Sequence, residues 1–218
     1  MTASAALARR ARVIGRGPDT AVIGSLAVFA VGTALMLAGL VLALLVERAG
    51  VSGTGFPQLG TALVRLVSGV CMLPLAALML ARLPRNPISW ILSAAAFGGA
   101  AGLFGLEYAT YSHFVHGLPA GRWAGWVGEW ISAPGLMLAS VALLLFPTGH
   151  VPSRSWRPLL WCGVAAALLV TLNGALGVGE DLAFQGNPLL RDATAQSVGD
   201  PLGLGWLLLL IATIGGVV

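Results

Sequence analysis

Long apolar stretches, separated by short polar or proline-containing segments, dominate the sequence. Six of them approach the length of about 20 residues that an α-helix needs to cross a lipid bilayer. Alternation of apolar and polar positions over about ten residues, typical of strands in membrane barrels, is missing from these stretches. Because helices satisfy their own backbone hydrogen bonds in lipid, we predict an all-α, polytopic transmembrane helical bundle. The predicted spans are 21–46, 61–81, 88–108, 126–146, 158–178 and 202–218.

The first apolar stretch follows an arginine-rich segment, residues 1–20. This order is also that of a secretory signal peptide, whose apolar region is usually about 7–15 residues long. The stretch from Ala21 to Val46 is uncharged and longer than that. We therefore expect a membrane span that is retained and a cytoplasmic N-terminal segment ahead of it.

The distribution of arginine predicts the orientation of the bundle. All twelve basic residues are arginine. Eight lie before the first span or in the connections after the second and fourth spans: Arg9, Arg10, Arg12, Arg16, Arg82, Arg85, Arg154 and Arg157. Only Arg48, Arg122 and Arg191 lie in connections on the opposite side. By the positive-inside rule, the N-terminus is cytoplasmic and the chain is a multi-pass protein of the inner (plasma) membrane.

Composition agrees with this class. The 218 residues are 57% hydrophobic and 9% charged, against about 25% charged in ordinary soluble domains. A soluble enzyme, a disordered chain and a collagen-like fibre are thereby excluded. The arginines are scattered between apolar stretches, which disfavours nucleic acid as a partner and favours the lipid bilayer. Cys71 and Cys162 lie within apolar stretches, and no Cys or His spacing predicts a zinc site or a disulfide framework.

Three charged residues lie at the edge of membrane depth, in the outer halves of the second, third and fourth spans: Arg65, Glu107 and Glu129. Intramembrane charges usually pair with each other or face water. We expect Arg65 to approach Glu107 or Glu129. The cluster would either lock three helices together or form the floor of an outward-facing sensing pocket; the remaining alternative is snorkelling to the interface.

Aromatic and titratable side chains surround this cluster on the outer side. Tyr111, His113 and His116 follow the third span, and Trp126 begins the fourth, between Trp123 and Trp130 on one helical face. An interfacial aromatic belt is one interpretation, and outward-facing sensing at Tyr111, His113, His116 and Trp126 is the other. The two histidines have no acidic or cysteine neighbour, so we predict no metal site and no cofactor.

Further features bear on packing and catalysis. Gly98 and Gly102 form a GxxxG pattern, which predicts a packing seam inside the bundle or a dimer interface. Pro74 and Pro134 are positions at which the second and fourth spans could kink. No set of Ser, His, Asp or Glu residues converges at one depth, so we expect no enzymatic activity from this chain.

Two short cytoplasmic connections have distinctive sequences. One contains Arg85, Asn86 and Pro87, and the other runs from residue 145 to 158. The notable positions in the second are Pro147, Gly149, Arg154, Trp156 and Arg157. Proline restricts its own backbone and that of the preceding residue, so both connections are predicted to be tight turns at the level of the lipid headgroups.

These two turns carry a family resemblance. The first, RNPISW, resembles the "NPIGW" turn in the N-terminal membrane region of actinobacterial sensor histidine kinases. The second, FPTGHVPSRSWRP, resembles the "FPTGRLPSxRWRP" turn of the same proteins, and Asn187-Pro188-Leu189 also fits. The chain differs from that pattern at His150, where arginine is usual, and at Ser89, where glycine is common.

The resemblance implies a sensor or membrane-anchor module in two-component signal transduction, with no catalytic residue in this chain. Homodimerisation and contact with a response regulator would both depend on a downstream kinase part. The last apolar stretch stops at Val218 with no polar flank, so we expect the chain to be a piece of a longer protein. The alternatives are a small transporter or channel subunit, and a structural or assembly membrane protein.

Overall fold

The computed structural model describes residues 20–51, 58–146, 148–151, 153–177, 186–190, 194 and 204–217, and the regular elements within these ranges are all helical. The α-helices are α1 (Thr20–Arg48), α2 (Gln58–Arg82), α3 (Pro87–Phe114), α4 (Gly121–Ile131), α5 (Ala133–Leu145), α6 (Arg157–Leu176) and α7 (Gly205–Val217). A 3-10 helix (Arg154–Trp156) precedes α6. Several predicted features lie outside the described residues: the arginine-rich segment up to residue 19, Pro147, and most of the connection 179–201.

Five helical segments are long and apolar enough to cross a membrane: Val22–Arg48, Ala62–Arg82, Pro87–Phe114, Gly121–Leu145 and Arg154–Leu176. The sixth predicted span corresponds to α7, whose 13 described residues extend about 20 Å. Many large apolar side chains on these helices are exposed, as expected of surfaces that face lipid rather than water. The prediction of an all-α multi-pass membrane protein is confirmed.

Helix α3 is the centre of the bundle. It packs against α1, α2, α4 and α5, while α6 packs against α4, α5 and α7. Buried residues occur along α3 from Ile88 to Thr110. Lipid is as apolar as a leucine side chain, so helices in a membrane associate mainly through close van der Waals packing. A helix rich in Ala and Gly, as α3 is, allows neighbours to approach on several sides.

The fourth predicted span is one helical segment with a break in its hydrogen bonding. Ser132 ends α4 and precedes α5, two residues before Pro134. Proline has no N–H to donate to the carbonyl four residues earlier, here that of Trp130, and this missing hydrogen bond permits a break. By contrast, α2 continues through Pro74 as one helix.

The helices extend beyond several predicted ends. Helix α3 continues from the predicted end at Tyr108 to Phe114, and the fourth segment begins at Gly121 rather than Trp126. Hydropathy marks only the apolar part of a helix, whereas backbone hydrogen bonds continue into the polar interface. The C-terminal end of α3 and the N-terminal end of α4 therefore continue past the apolar stretches of the sequence.

Candidate functional site

Helices α3 and α4 meet along a seam of glycines in the half of the bundle that the arginine distribution predicts to face outward, here called the outer half. A Cβ atom at Gly105 would lie 2.5 Å from the carbonyl oxygen of Ala124, and one at Gly128 would lie 2.8 Å from the backbone nitrogen of Leu106. At Gly98, the obstacle is the carbonyl oxygen of Ile131, at 2.6 Å. Backbone atoms cannot rotate away as side chains can, so these positions require glycine.

The GxxxG pattern therefore lies inside the bundle. Gly98 and Gly102 both face the α4 side, and the obstacle to a Cβ at Gly102 is the carbonyl oxygen of Gly128, at 3.1 Å. The prediction of an internal packing seam is confirmed for these two glycines. Gly99, on the other face of α3, has no atom within 4 Å of a Cβ position.

The two intramembrane carboxylates are attached at the same level of this seam. Glu107 follows Leu106 on α3, and Glu129 follows Gly128 on α4, the two residues whose backbones are in contact. Glu107 is 7% exposed and Glu129 is half-buried. The seam thus brings two acidic residues to one depth of the bundle, as sequence depth alone suggested.

Arg65, the third member of the predicted cluster, is half-buried on α2. Its neighbour Ala62 packs with Ala43 of α1 and Leu103 of α3. Ala62 is therefore at the level of Leu103, and the backbone of Arg65 lies about 10 Å, or roughly two helical turns, from the level of Glu107. The pairing of Arg65 with Glu107 or Glu129 stays a prediction.

The outer aromatic residues are ordered by contacts with each other. Tyr111 and His116 meet edge to face, with ring centroids 5.8 Å apart. His113 packs in the same way on Phe114, at 4.6 Å. Both histidines are exposed and Tyr111 is half-buried. These three candidate sensing residues therefore lie together where α3 leaves the apolar layer.

Trp126 is placed differently from the other candidate sensing residues. It lies between Trp123 and Trp130, with ring centroids 5.8 Å and 5.7 Å away. Its indole Nε1 donates a hydrogen bond of 2.8 Å to the carbonyl oxygen of Ala175, near the end of α6. The side chain thus joins α4 to α6, and its one polar group is engaged in that contact.

Asn187 makes an outer connection that motif analysis did not identify as a site. Its amide donates to the carbonyl oxygens of Ala175 (3.1 Å) and Gly177 (2.9 Å), and its Oδ1 accepts from the backbone of Leu189 (2.8 Å). The guanidinium of Arg122, at the start of α4, donates to the backbone carbonyl oxygen of Asn187 at 2.8 Å. Asn187 is 4% exposed. The sequence signals at this position were its place before a proline and its part in the Asn187-Pro188-Leu189 resemblance.

The side chain of Asn187 caps the C-terminal end of α6. The last carbonyls of a helix have no intrahelical donors and must find partners elsewhere. Asn187 supplies two such donors while its own oxygen organises the turn that follows. The outer ends of α4 and α6 are therefore fixed to the same residue.

At the opposite end of the bundle, the first of the two turns predicted to be cytoplasmic is held by its own side chains. Asn86 caps α3, since its Oδ1 accepts a hydrogen bond of 3.0 Å from the backbone of Ile88. Pro87 occupies the first turn of α3, where a missing N–H costs little. The fully buried Ser89 donates to the carbonyl oxygen of Leu83 at 2.9 Å. A glycine at position 89 would leave that carbonyl without this donor.

The second cytoplasmic turn lies against the first. Gly149 has a φ of +79°, and a Cβ atom there would lie 2.8 Å from Oδ1 of Asn86 and 2.9 Å from Cδ of Pro87. Its own N–H donates to the carbonyl oxygen of Leu145 at 2.7 Å, which closes the end of α5. Both the backbone conformation and the lack of space require glycine. Arg85, Arg154 and Arg157 are exposed around this contact, and Trp156 is half-buried.

The described residues form two polar regions, at opposite ends of the bundle. One is the outer layer with Glu107 and Glu129, and the other is the pair of cytoplasmic turns. Among the residues that the structure describes, no three His, Cys, Asp or Glu side chains gather as a metal site would require.

Comparisons with protein-family models, with curated proteins and with solved structures gave no match for this chain.

Proposed function

We propose that the chain is the membrane-embedded sensor and anchor module of a two-component signalling histidine kinase whose kinase part lies outside this chain. The observation that carries this proposal is the position of α3. Its outer half forms the seam with α4 beside Glu107 and Glu129, and its first residues carry the turn that Gly149 contacts. One rigid helix thus joins an outward polar layer to the cytoplasmic turns.

The mechanism follows from packing at both ends of α3. A stimulus at the outer end that favours one packing of α3 against α4 would shift or rotate α3 by a small amount. The α3–α4 seam is closely packed through backbone atoms, so α3 would move as a whole. Its other end would then displace Asn86 and Pro87 from Gly149. The second turn leads into α6, which packs against α7. A kinase part joined beyond α7 would receive the change through that pair.

The resemblance of both turns to those of sensor histidine kinases supports the same function. The two turns that carry it lie far apart in the sequence and touch in the bundle. Because the two motifs are in contact, a shared role is a better explanation for them than two separate interfacial turns. The first rival, a small transporter or channel subunit, needs a hydrated path, and backbone contact closes the α3–α4 seam to such a path. The second rival, an assembly protein, needs a stable partner chain.

The experiment uses the complete product of the gene that encodes this chain, reconstituted in proteoliposomes with radiolabelled ATP. We expect autophosphorylation on histidine, and at least a threefold change in its rate when Gly149→Ala disturbs the turn contact. Gly99→Ala is the matched control, because a Cβ at Gly99 meets no atom within 4 Å. Both variants are first shown to elute as single folded species.

Several outcomes would contradict the proposal. One is a gene product that contains no ATP-binding domain and has no kinase partner. Another is a kinase whose rate is the same with the membrane region deleted as with it present. Ion or solute flux through proteoliposomes that hold the chain alone would favour the transporter, and co-purification with a stoichiometric membrane partner would favour the assembly protein.

A further inference from the structure

The cytoplasmic ends of four helices and both turns share one small apolar core. Ile88 of α3 packs with Val141 and Leu145 of α5, and Val151 of the second turn packs against this group. Met79 of α2 and two residues of α6, Leu160 and Val164, complete the core. The two turns are therefore parts of one structure, here called the cytoplasmic cap (described residues 82–90, 146, 148–151 and 153–158).

The cap is strongly and uniformly basic. Its four arginines, Arg82, Arg85, Arg154 and Arg157, are all exposed. Neither stretch of the cap contains an Asp or Glu. The carboxylates that the structure describes, at Glu47, Glu107 and Glu129, are all attached toward the opposite end of the bundle.

Exposed apolar side chains occur in the cap and in the first turns of α6. Phe146 is 69% exposed, Trp161 is 66% exposed and Trp90 is 59% exposed. The indole of Trp90 is fixed in orientation, since its Nε1 donates to the carbonyl oxygen of Pro84 at 2.9 Å. Large apolar surface next to fixed positive charge matches a molecule that has both an anionic group and hydrocarbon. A soluble anion would leave the apolar part of this surface unused.

We propose that the cytoplasmic cap is a binding site for anionic phospholipids, whose headgroup phosphates contact arginines of both turns while the acyl chains cover Phe146, Trp90 and Trp161. Guanidinium groups bind phosphate oxygens through two parallel hydrogen bonds, which a lysine ammonium cannot do. Because Gly149 holds the two turns together, a lipid bound across them would stabilise the contact between Gly149 and Asn86. This inference stands independently of the proposed kinase function.

The test is native mass spectrometry of the purified chain in a zwitterionic detergent, titrated with phosphatidylglycerol, cardiolipin or phosphatidylcholine. We expect retained phosphatidylglycerol and cardiolipin and little phosphatidylcholine. An arginine near an anionic surface contributes about 1 kcal/mol, which is about fivefold in affinity. The double variant Arg85→Gln/Arg154→Gln, which removes one arginine from each turn, should therefore bind the anionic lipids about 25-fold more weakly.

The matched control is Arg48→Gln. Arg48 is exposed and is the last residue of α1, at the opposite end of the bundle from the cap. Equal losses of lipid in Arg48→Gln and in the double variant would overturn the proposal, since they would indicate general attraction to net charge. Equal retention of phosphatidylcholine and phosphatidylglycerol by the unmodified chain would also overturn it. So would displacement of the lipid by millimolar inorganic phosphate, because the site would then recognise phosphate without hydrocarbon. All variants replace exposed side chains, and their elution profile checks that they fold.

Discussion

Gly149 lies against Asn86, and this contact joins two turns that are far apart in the sequence. A Cβ at Gly149 would come within 2.8 Å of Oδ1 of Asn86, the same atom that caps α3 by accepting from the backbone of Ile88. Oδ1 of Asn86 therefore caps the N-terminus of α3 and also contacts the second turn at Gly149. Any change at Gly149 is expected to act on the first turn of α3.

The first prediction concerns Gly149→Ala. The left-handed backbone conformation disfavours alanine by about 1–2 kcal/mol, and the crowding against Asn86 and Pro87 adds to that cost. We expect the free energy of unfolding in detergent to fall by about 2–3 kcal/mol. The measurement is denaturant unfolding followed by circular dichroism.

A second glycine separates the two causes. Gly50, after α1, also has a positive φ (+68°), but a Cβ there meets no atom within 4 Å. Gly50→Ala should therefore lose only the conformational part, about 1 kcal/mol. Equal destabilisation by the two variants would show that the contact with Asn86 contributes nothing.

The second prediction concerns the seam between α3 and α4. A methyl group at Gly105 would meet the carbonyl oxygen of Ala124 at 2.5 Å, so Gly105→Ala must separate the two helices. We expect the thermal midpoint in detergent to fall by several degrees, corresponding to about 2 kcal/mol or more. Gly99→Ala, on the open face of α3, should be neutral or stabilising by up to about 1 kcal/mol, because alanine favours helix more than glycine does.

Hydropathy predicted most of the fold. Each apolar stretch approaches the length that a helix needs to cross a bilayer, and a helix satisfies its own backbone hydrogen bonds in lipid. The predicted span 21–46 corresponds to α1 within two residues at each end. The break at Ser132, between α4 and α5, was harder to predict from the sequence. Proline at position 134 allows a kink, but α2 passes Pro74 without a break, so proline alone does not decide.

The contacts of the candidate site were harder to predict than the spans. Sequence depth placed Glu107 and Glu129 in the same layer, because residue position along a helix translates directly into depth. The contact between Gly149 and Asn86 depends on how the helices are arranged around α3, and uniformly apolar helices carry little periodicity to indicate which face is buried. The five hydrogen bonds formed through Asn187 and Arg122 depend on the same arrangement.

The third prediction concerns Asn187. Removing its side chain leaves the buried Gly177 without this donor to its carbonyl oxygen, while the carbonyl oxygen of Ala175 keeps the hydrogen bond from Trp126. We expect Asn187→Ala to lower the free energy of unfolding by about 2–3 kcal/mol. Hydrogen–deuterium exchange should increase at Leu189 and Leu190, whose N–H groups bond to Oδ1. Leu189→Ala, at an exposed side chain, is the control and should leave exchange at Leu190 unchanged. Unaltered protection in Asn187→Ala would contradict the capping role.

The last prediction concerns the orientation of the bundle, which rests on the distribution of arginine. Cysteine is introduced at Ser153, an exposed residue beside the 3-10 helix, or at Gly117, which lies in the exposed loop after α3 with no atom near its Cβ position. Both variants are made in a chain with Cys71→Ala and Cys162→Ala, so that the label reports one position. If the positive-inside rule holds here, a membrane-impermeant maleimide should label Gly117→Cys in intact cells and Ser153→Cys only after permeabilisation. The reverse pattern would place the cap on the outer face of the membrane. Anionic phospholipid could still bind the cap, but a kinase part beyond α7 would then be on the wrong side for cytoplasmic ATP, so this labelling separates the two proposals.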